Sequence, residues 1–136
     1  MVMYPSLSSQ QFREALKDIS QFELEFKKKQ QLTFIFKLID TNNELHQELL
    51  KSESGHNSSG TVELSPEDAK LYKETIDENK VALLEQIERV QSINDELVQR
   101  GFLSPSQKGK EEKKLMEDIK EKEKGVEVDK DQGVVL

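Results

Sequence analysis

Cysteine and tryptophan are absent from this 136-residue chain, and proline occurs only three times. Without cysteine there is neither a disulfide framework nor a thiolate metal site, which favours a reducing compartment. No run approaches the roughly 18 apolar residues of a membrane span, and the initial MVMYPSLSSQQ lacks both a basic start and an apolar secretory segment. The sequence therefore predicts a soluble, intracellular protein that does not associate with membranes.

An excess of basic charge is also lacking, because the formal net charge is -7. Residues 1–51 hold seven basic and seven acidic side chains, residues 52–107 hold five and eleven, and residues 108–136 hold eight and nine. Phosphate binding needs a dominant basic face, so the acidic middle segment argues against nucleic acid as a partner. It favours a protein partner with a basic surface.

Residue patterns that carry chemistry are missing as well. The six glycines form no phosphate-binding loop, and the two histidines, His46 and His56, form no ligand cluster. The adjacent acidic pairs are Asp77-Glu78, Asp95-Glu96 and Glu111-Glu112. The two members of such a pair diverge by about 100° on a helix, so they form a solvated face rather than a catalytic couple. We therefore expect no enzyme, no cofactor and no metal.

Capping residues mark where the helices begin. Ser8 precedes Gln11 by three residues and Ser20 precedes Glu23 in the same way, which is the spacing of a capping box. A third helix begins after Ser65 in the segment SPED, with proline at its first position and carboxylates in its first turn. Gly101 is suited to end it in the left-handed conformation. The predicted helices cover about residues 9–18, 21–51 and 66–100.

Heptad spacing relates the two long helices. Residues Ile76, Leu83, Val90 and Leu97 recur every seven positions in one of them. Together with a polar linker at 52–64, this predicts an all-α fold built on an antiparallel two-helix coiled-coil hairpin with a short N-terminal helix. We expect Leu38 opposite Asn79 and Leu45 opposite Tyr72, to within about one helical turn. The predicted hairpin seam consists of Ile35, Leu38, Asn42, Leu45, Leu49, Tyr72, Ile76, Asn79, Leu83, Val90 and Leu97.

The composition changes after Pro105, where Lys, Glu and Asp make up more than half of the residues. Such a segment buries too little apolar surface to offset the entropy of ordering it. We therefore expect a helical hairpin domain over residues 1–100 and a charged, mostly disordered tail over 101–136, with a transient helix around 110–123.

The segment QLTFIFKLID contrasts with this polar chain, since six of its eight residues from Leu32 to Ile39 are apolar. On a helical wheel Phe34 and Phe36 lie about 100° to either side of Ile35, so one seam does not bury both. Two readings follow. The N-terminal helix covers one phenylalanine with its own apolar stripe, or an exposed phenylalanine binds another protein. Both can hold together.

Two stretches of the chain resemble a known family. They are LSSQQFREALKDISQFELEFKKKQQLTFIFKLIDTNNEL and, after the linker, DAKLYKETIDENKVALLEQIERVQSINDEL. Their order and spacing are similar to those of the fungal ATPase-dedicated chaperone, also described as a translation-machinery-associated protein. Members of that family are small acidic helical hairpins that assist assembly of the ATPase ring of the proteasome's 19S regulatory particle, particularly under stress.

The resemblance implies a chaperone that binds a free ATPase subunit of the regulatory particle and leaves when the particle matures. It also implies a location in the cytoplasm and the nucleus, and association with ribosomes. If the chain binds such a subunit, we expect aromatic and aliphatic side chains to make the apolar contacts and acidic side chains to steer the partner electrostatically. The candidate partner-binding residues are Phe34, Phe36, Leu38, Ile39, Glu74, Asp77, Glu78 and Glu85. The alternatives left open are a structural coiled-coil subunit of a stable complex and self-association through the aromatic patch.

Overall fold

The computed structural model describes residues 8–53 and 64–135, with side chains described for 8–52 and 64–124. The described residues form helices and short connections, with no strand among them, which confirms the all-α class. Most of the predicted linker lies outside the described residues, and the two-helix hairpin remains a prediction. The helices are α1 (Ser9–Leu16), α2 (Gln21–Glu53), α3 (Pro66–Gln99) and α4 (Pro105–Val135).

Serine caps fix the starts of the first three helices. The Ser8 hydroxyl accepts a hydrogen bond from the Gln11 backbone N–H at 3.1 Å, and the Ser8 backbone N–H donates one to Oε1 of Gln11 at 3.0 Å. Ser20 and Ser65 each accept from the N–H three residues on, at 3.1 Å. Each bond satisfies a donor that the first turn of a helix leaves unpaired.

The C-terminus of α3 closes with the motif that Gly101 predicted. Gly101 has a φ of 82°, the one positive φ among the described residues. The Phe102 N–H donates to the Leu97 carbonyl at 2.9 Å and the Gly101 N–H to the Val98 carbonyl at 3.0 Å. This pair of bonds defines a Schellman motif, which turns the chain sharply away from α3.

The described helices divide into two compact units. The first comprises Met1–Ile35 and Leu84–Leu115, and the second comprises Phe36–Leu83 and Met116–Leu136. The core of the first unit is a cluster in which α1 packs against α2 and α3. Its buried members are Phe12, Leu16, Leu24, Ile93 and Leu97, with Ile19 and Leu103 partly buried against them.

Two arginines, Arg89 in α3 and Arg100 just after it, contact α1 in the first unit. The Arg100 guanidinium donates to the carbonyls of Leu16, at 2.9 Å, and Lys17, at 3.2 Å, which lie at the end of α1. A cation at a helix C-terminus satisfies unpaired carbonyls and complements the helix dipole. The guanidinium of Arg89 lies 5.0 Å from the centre of the Phe12 ring, within cation–π range. Helix α1 is thus anchored by polar as well as apolar contacts.

The second unit has an apolar core with a polar pair inside it. Ile39, Leu49, Ile76 and Leu83 are buried there. Asn79 donates from Nδ2 to Oδ1 of Asn42 at 2.9 Å, and Asn42 donates to the Ile76 carbonyl at 3.3 Å. The sequence placed Leu38 opposite Asn79. The hydrogen bond of Asn79 goes to Asn42, one helical turn further along α2, which lies within the one-turn tolerance of that prediction.

The expectation of a mostly disordered tail is wrong for the described part of the tail, because residues Pro105–Val135 form α4. Leu115 in the first unit and Ile119 in the second are buried. In the first unit Lys28 pairs with Glu111, and Asn94 donates to Glu112 at 3.2 Å. A few apolar residues supplemented by polar contacts therefore dock a segment whose composition alone indicates disorder.

Candidate partner-binding surface

The apolar segment QLTFIFKLID is mostly core. Ile35, Leu38 and Ile39 are buried, whereas Phe34 keeps 44% of its surface exposed. The expectation that Leu38 and Ile39 contact a partner therefore needs correction, because packing within the protein already covers them. Of the four apolar candidates, Phe34 alone is exposed, and Phe36 is half-buried.

Phe36 is covered from α4 within the second unit. The Lys122 ammonium lies 5.8 Å from the centre of the Phe36 ring. The same ammonium pairs with Asp40 at 2.8 Å, and the Lys122 carbonyl accepts from the Asn43 amide at 2.9 Å. The apolar stripe of α1 packs on Leu24 of α2 and on Ile93 and Leu97 of α3. That α1 covers one of the two phenylalanines stays a prediction.

Two exposed phenylalanines near the start of α2 were missed by the sequence reasoning. Phe22 and Phe26 are 79% and 54% exposed, more than Phe34. The signal was present, because two phenylalanines four residues apart share one face of a helix, and Leu24 between them faces the opposite side. Charged residues lie between them, so the two phenylalanines do not belong to a dense apolar run.

The acidic candidates are all on the surface. Glu74, Asp77 and Glu78 in the second unit and Glu85 in the first are exposed. Glu74 lies 3.9 Å from Lys70 on the same helix, an exposed pair of the kind that contributes little to stability. Their role in steering a partner stays a prediction.

The residues predicted for the hairpin seam avoid the solvent. Eight of the eleven are buried, and Leu45, Tyr72 and Asn79 are half-buried. The Asn42–Asn79 contact shows how polar residues are accommodated among them, since each uses its amide in a hydrogen bond. These positions are occupied by internal packing and are not surfaces for a partner.

A polar cluster in the first unit connects α3 to α4. Lys108 contacts Glu112 at 2.9 Å and Asp95 at 3.4 Å. The hydrogen bond to Glu112, with smaller contributions from the charges of Glu112 and Asp95, raises the pKa of Lys108 above its usual value of 10.5 despite some desolvation. Lys108 is therefore charged at neutral pH, and the cluster orients α4.

One groove of the second unit contains a histidine. It has a volume of about 360 Å³, and its lining includes half-buried His46 with exposed Lys80, Glu123 and Lys124. Over the described residues no three His, Asp or Glu side chains are grouped to hold a metal ion. No described helix is long and apolar enough to cross a membrane.

The comparisons with known proteins assign the family. The model of the TMA17 helical domain matches residues 8–104. The match begins at the N-cap of α1 and ends at Ser104, so it spans α1 to α3 and stops where α4 begins. Searches of curated proteins and of solved structures gave no match. The chain therefore belongs to the TMA17 family, the family of the ATPase-dedicated chaperone of proteasome assembly.

Proposed function

We propose that this protein is an assembly chaperone that binds a free ATPase subunit of the proteasome's regulatory particle and promotes assembly of the ATPase ring, especially under stress. The observation that carries the proposal is the match of the TMA17 helical domain to α1, α2 and α3. Binding would shield apolar surface of the subunit before the ring forms, and the chaperone would leave as the particle matures. The ATPase subunit alone hydrolyses ATP, and the chaperone acts by binding, without catalysis of its own.

The surface chemistry of α2 and α3 supports this function. Phe34 offers an exposed aromatic contact, and Glu74, Asp77, Glu78 and Glu85 offer negative charge for steering. Aromatic side chains contribute most of the affinity in many protein interfaces, whereas rim charges mainly affect association rates. We place the chaperone in the cytoplasm and the nucleus, with its α2–α3 pair as a hairpin that lies against the subunit. Ribosome association belongs to the same proposal.

Affinity purification of the chain from cells, followed by mass spectrometry, tests the proposal. We expect free ATPase subunits and partial ATPase assemblies in the eluate, and no complete 26S proteasomes. If the chain instead remains in a mature complex at fixed stoichiometry, it is a structural coiled-coil subunit and the chaperone function is wrong. The eluate from proteasome-depleted lysate provides the control for unspecific capture.

A further inference from the structure

We propose that the exposed face of α2 in the first unit is a docking surface for one amphipathic helix of a partner, whose apolar stripe is bordered by acidic side chains. The surface consists of Phe22, Phe26, Gln30 and Phe34, which we name the phenylalanine ridge. This inference rests on the proposed function, since it assigns the surface with which the chaperone contacts its partner and the chemistry of that partner.

The spacing of the ridge is that of a helix-packing element. Its four members recur every fourth residue over about 18 Å of helix axis. Rows of side chains four residues apart form the ridges that fit into the grooves of a second helix, at a crossing angle of about -50° in the commonest arrangement. A partner that is itself helical matches this geometry.

The ridge lies away from the internal contacts of α2. Leu24 on the other side of the helix is fully buried, and Lys28 on that side pairs with Glu111 of α4. The phenylalanines of the ridge are 79%, 54% and 44% exposed. They are three of the six phenylalanines in the chain, so half of this residue type lies on one uncovered row. Such clustering of large apolar side chains marks an interaction site, whereas single exposed residues do not.

Charge defines the partner. Lys27 and Lys29 flank the ridge, each about 80° from it at the level of residue 28. Neither lysine pairs with an acidic side chain within the described structure, whereas Lys28 between them is engaged with Glu111. The carboxylates of Glu23 and Glu25, one turn earlier, accept hydrogen bonds from the Ser20 hydroxyl and the Gln21 amide and keep their negative charge. The border of the ridge is therefore acidic near Phe22 and basic between Phe26 and Gln30, where Lys27 and Lys29 lie. Acidic residues on the partner complement this basic part.

A second copy of this chain fits the surface less well than another protein. Each copy carries a formal charge of -7, and like net charges oppose association at moderate salt. The two lysines between Phe26 and Gln30 give this part of the ridge a positive border on an acidic protein, which is suited to selecting a partner by its charge pattern. The occupant is therefore a helix of a different protein.

The test compares two triple alanine variants of the full chain. Phe22→Ala with Phe26→Ala and Phe34→Ala removes the ridge. Leu71→Ala with Val81→Ala and Leu84→Ala removes three apolar side chains of α3 that are similarly exposed, at 56%, 58% and 67%. Alanine favours helix at all six positions, so circular dichroism should show both variants folded.

The affinity of each variant is measured for two kinds of probe. The first kind is the individual isolated ATPase subunits. The second is synthetic amphipathic helical peptides that carry either glutamate or lysine beside a stripe of leucines. We expect the ridge variant to lose affinity for one subunit and for the glutamate peptide by at least about tenfold, and the α3 variant to change by less than about twofold. Lys27→Glu with Lys29→Glu should slow association at low salt, with a smaller effect at high salt.

The outcomes separate this inference from the proposed function. If the intact chain binds a subunit and the ridge variant binds it equally well, the ridge is not the docking surface although the function stands. If no subunit binds but the glutamate peptide binds through the ridge, the function fails and the docking surface stands. Preference for the lysine peptide overturns the charge assignment. Dimerisation that the ridge variant abolishes, measured by sedimentation velocity, assigns the ridge to a second copy and overturns the inference.

Discussion

The two asparagines of the second unit illustrate a polar contact that is costly to break from one side. Asn42 is buried, and its amide both accepts from Asn79 and donates to the Ile76 carbonyl. A buried amide that loses its partner retains the full cost of desolvation, whereas an apolar pair of similar size loses nothing of that kind. The pair also favours one register of α2 against α3, since an amide finds its partner at only one position.

The pair therefore predicts an asymmetric mutation series. Asn42→Leu alone should lower the free energy of unfolding by about 1–3 kcal/mol, because Asn79 is left without its acceptor. Asn42→Leu with Asn79→Leu should recover most of that loss. Urea unfolding followed by circular dichroism measures both. A double variant as unstable as the sum of the single changes would show that the pair does not act through this hydrogen bond.

Lys108 carries the titration prediction. Its pKa is raised, so its ion pairs stabilise the folded state fully below about pH 10.5. That contribution is lost as the pH rises through the higher folded-state pKa. Lys108→Met should lower the free energy of unfolding by up to about 1 kcal/mol at pH 8, since the side chain is partly exposed. The difference from the unmodified protein should shrink above pH 10.5.

Lys110→Met provides the control, because Lys110 lies on the same helix and is exposed. Urea unfolding at a series of pH values should show little effect of this change at any of them. An effect of Lys108→Met that stays constant into the alkaline range would contradict the assignment of its stabilisation to charge.

Helix α4 shows how far sequence patterns determine an element. The starts of α1, α2 and α3 follow from serine caps, and Gly101 sets the end of α3. A capping box also begins α4, since the Ser104 and Gln107 side chains each accept a hydrogen bond from the other residue's backbone N–H at 3.0 Å. Composition argued against a stable helix there. The helix is stabilised by burial of Leu115 and Ile119 and by a set of polar contacts. These contacts are made with neighbouring helices, so the sequence of α4 alone does not reveal them.

Docking of α4 should depend on its few buried residues. Leu115→Ala should increase hydrogen–deuterium exchange across residues 105–124. Removing a buried leucine typically costs about 2–5 kcal/mol, and here the loss is limited by the free energy that holds α4 in place. Exchange in α2 and α3 should change much less. Mass spectrometry of peptic fragments measures each helix separately.

Met116→Ala is the matched control, since Met116 is adjacent in sequence and 40% exposed. It should leave exchange in α4 nearly unchanged. Equal exchange in both variants would show that burial of Leu115 does not hold the helix. Raised exchange throughout α3 would show that α4 is part of the same cooperative unit as the helical domain.

The candidate surface could be predicted only in part from the sequence, because its exposure also depends on contacts with neighbouring helices. Wheel positions identified Phe34 as marginal, and the structure leaves it exposed. They gave no means to decide that α4 would cover Phe36, because α4 was expected to be disordered. Phe22 and Phe26 were visible as a pair four residues apart, but their exposure depends on which face of α2 packs against α1 and α3. That choice is made by tertiary contacts.

At the level of the whole molecule, the chain combines an acidic character with exposed aromatic side chains and belongs to a family of proteasome assembly chaperones. The net charge of -7 opposes association of copies, and the exposed phenylalanines offer apolar contacts to other proteins. A factor that acts during assembly has to bind firmly enough to shield a subunit and be released afterwards. The central claim is therefore a transient association with newly made ATPase subunits.

A pulse–chase experiment tests that claim most directly. ATPase subunits are labelled briefly, the chain is isolated at intervals, and the labelled subunits that accompany it are counted. We predict that label appears with the chain at once and declines as labelled subunits enter complete proteasomes. Label that accumulates and remains with the chain, or that never accompanies it, would contradict a role as an assembly chaperone.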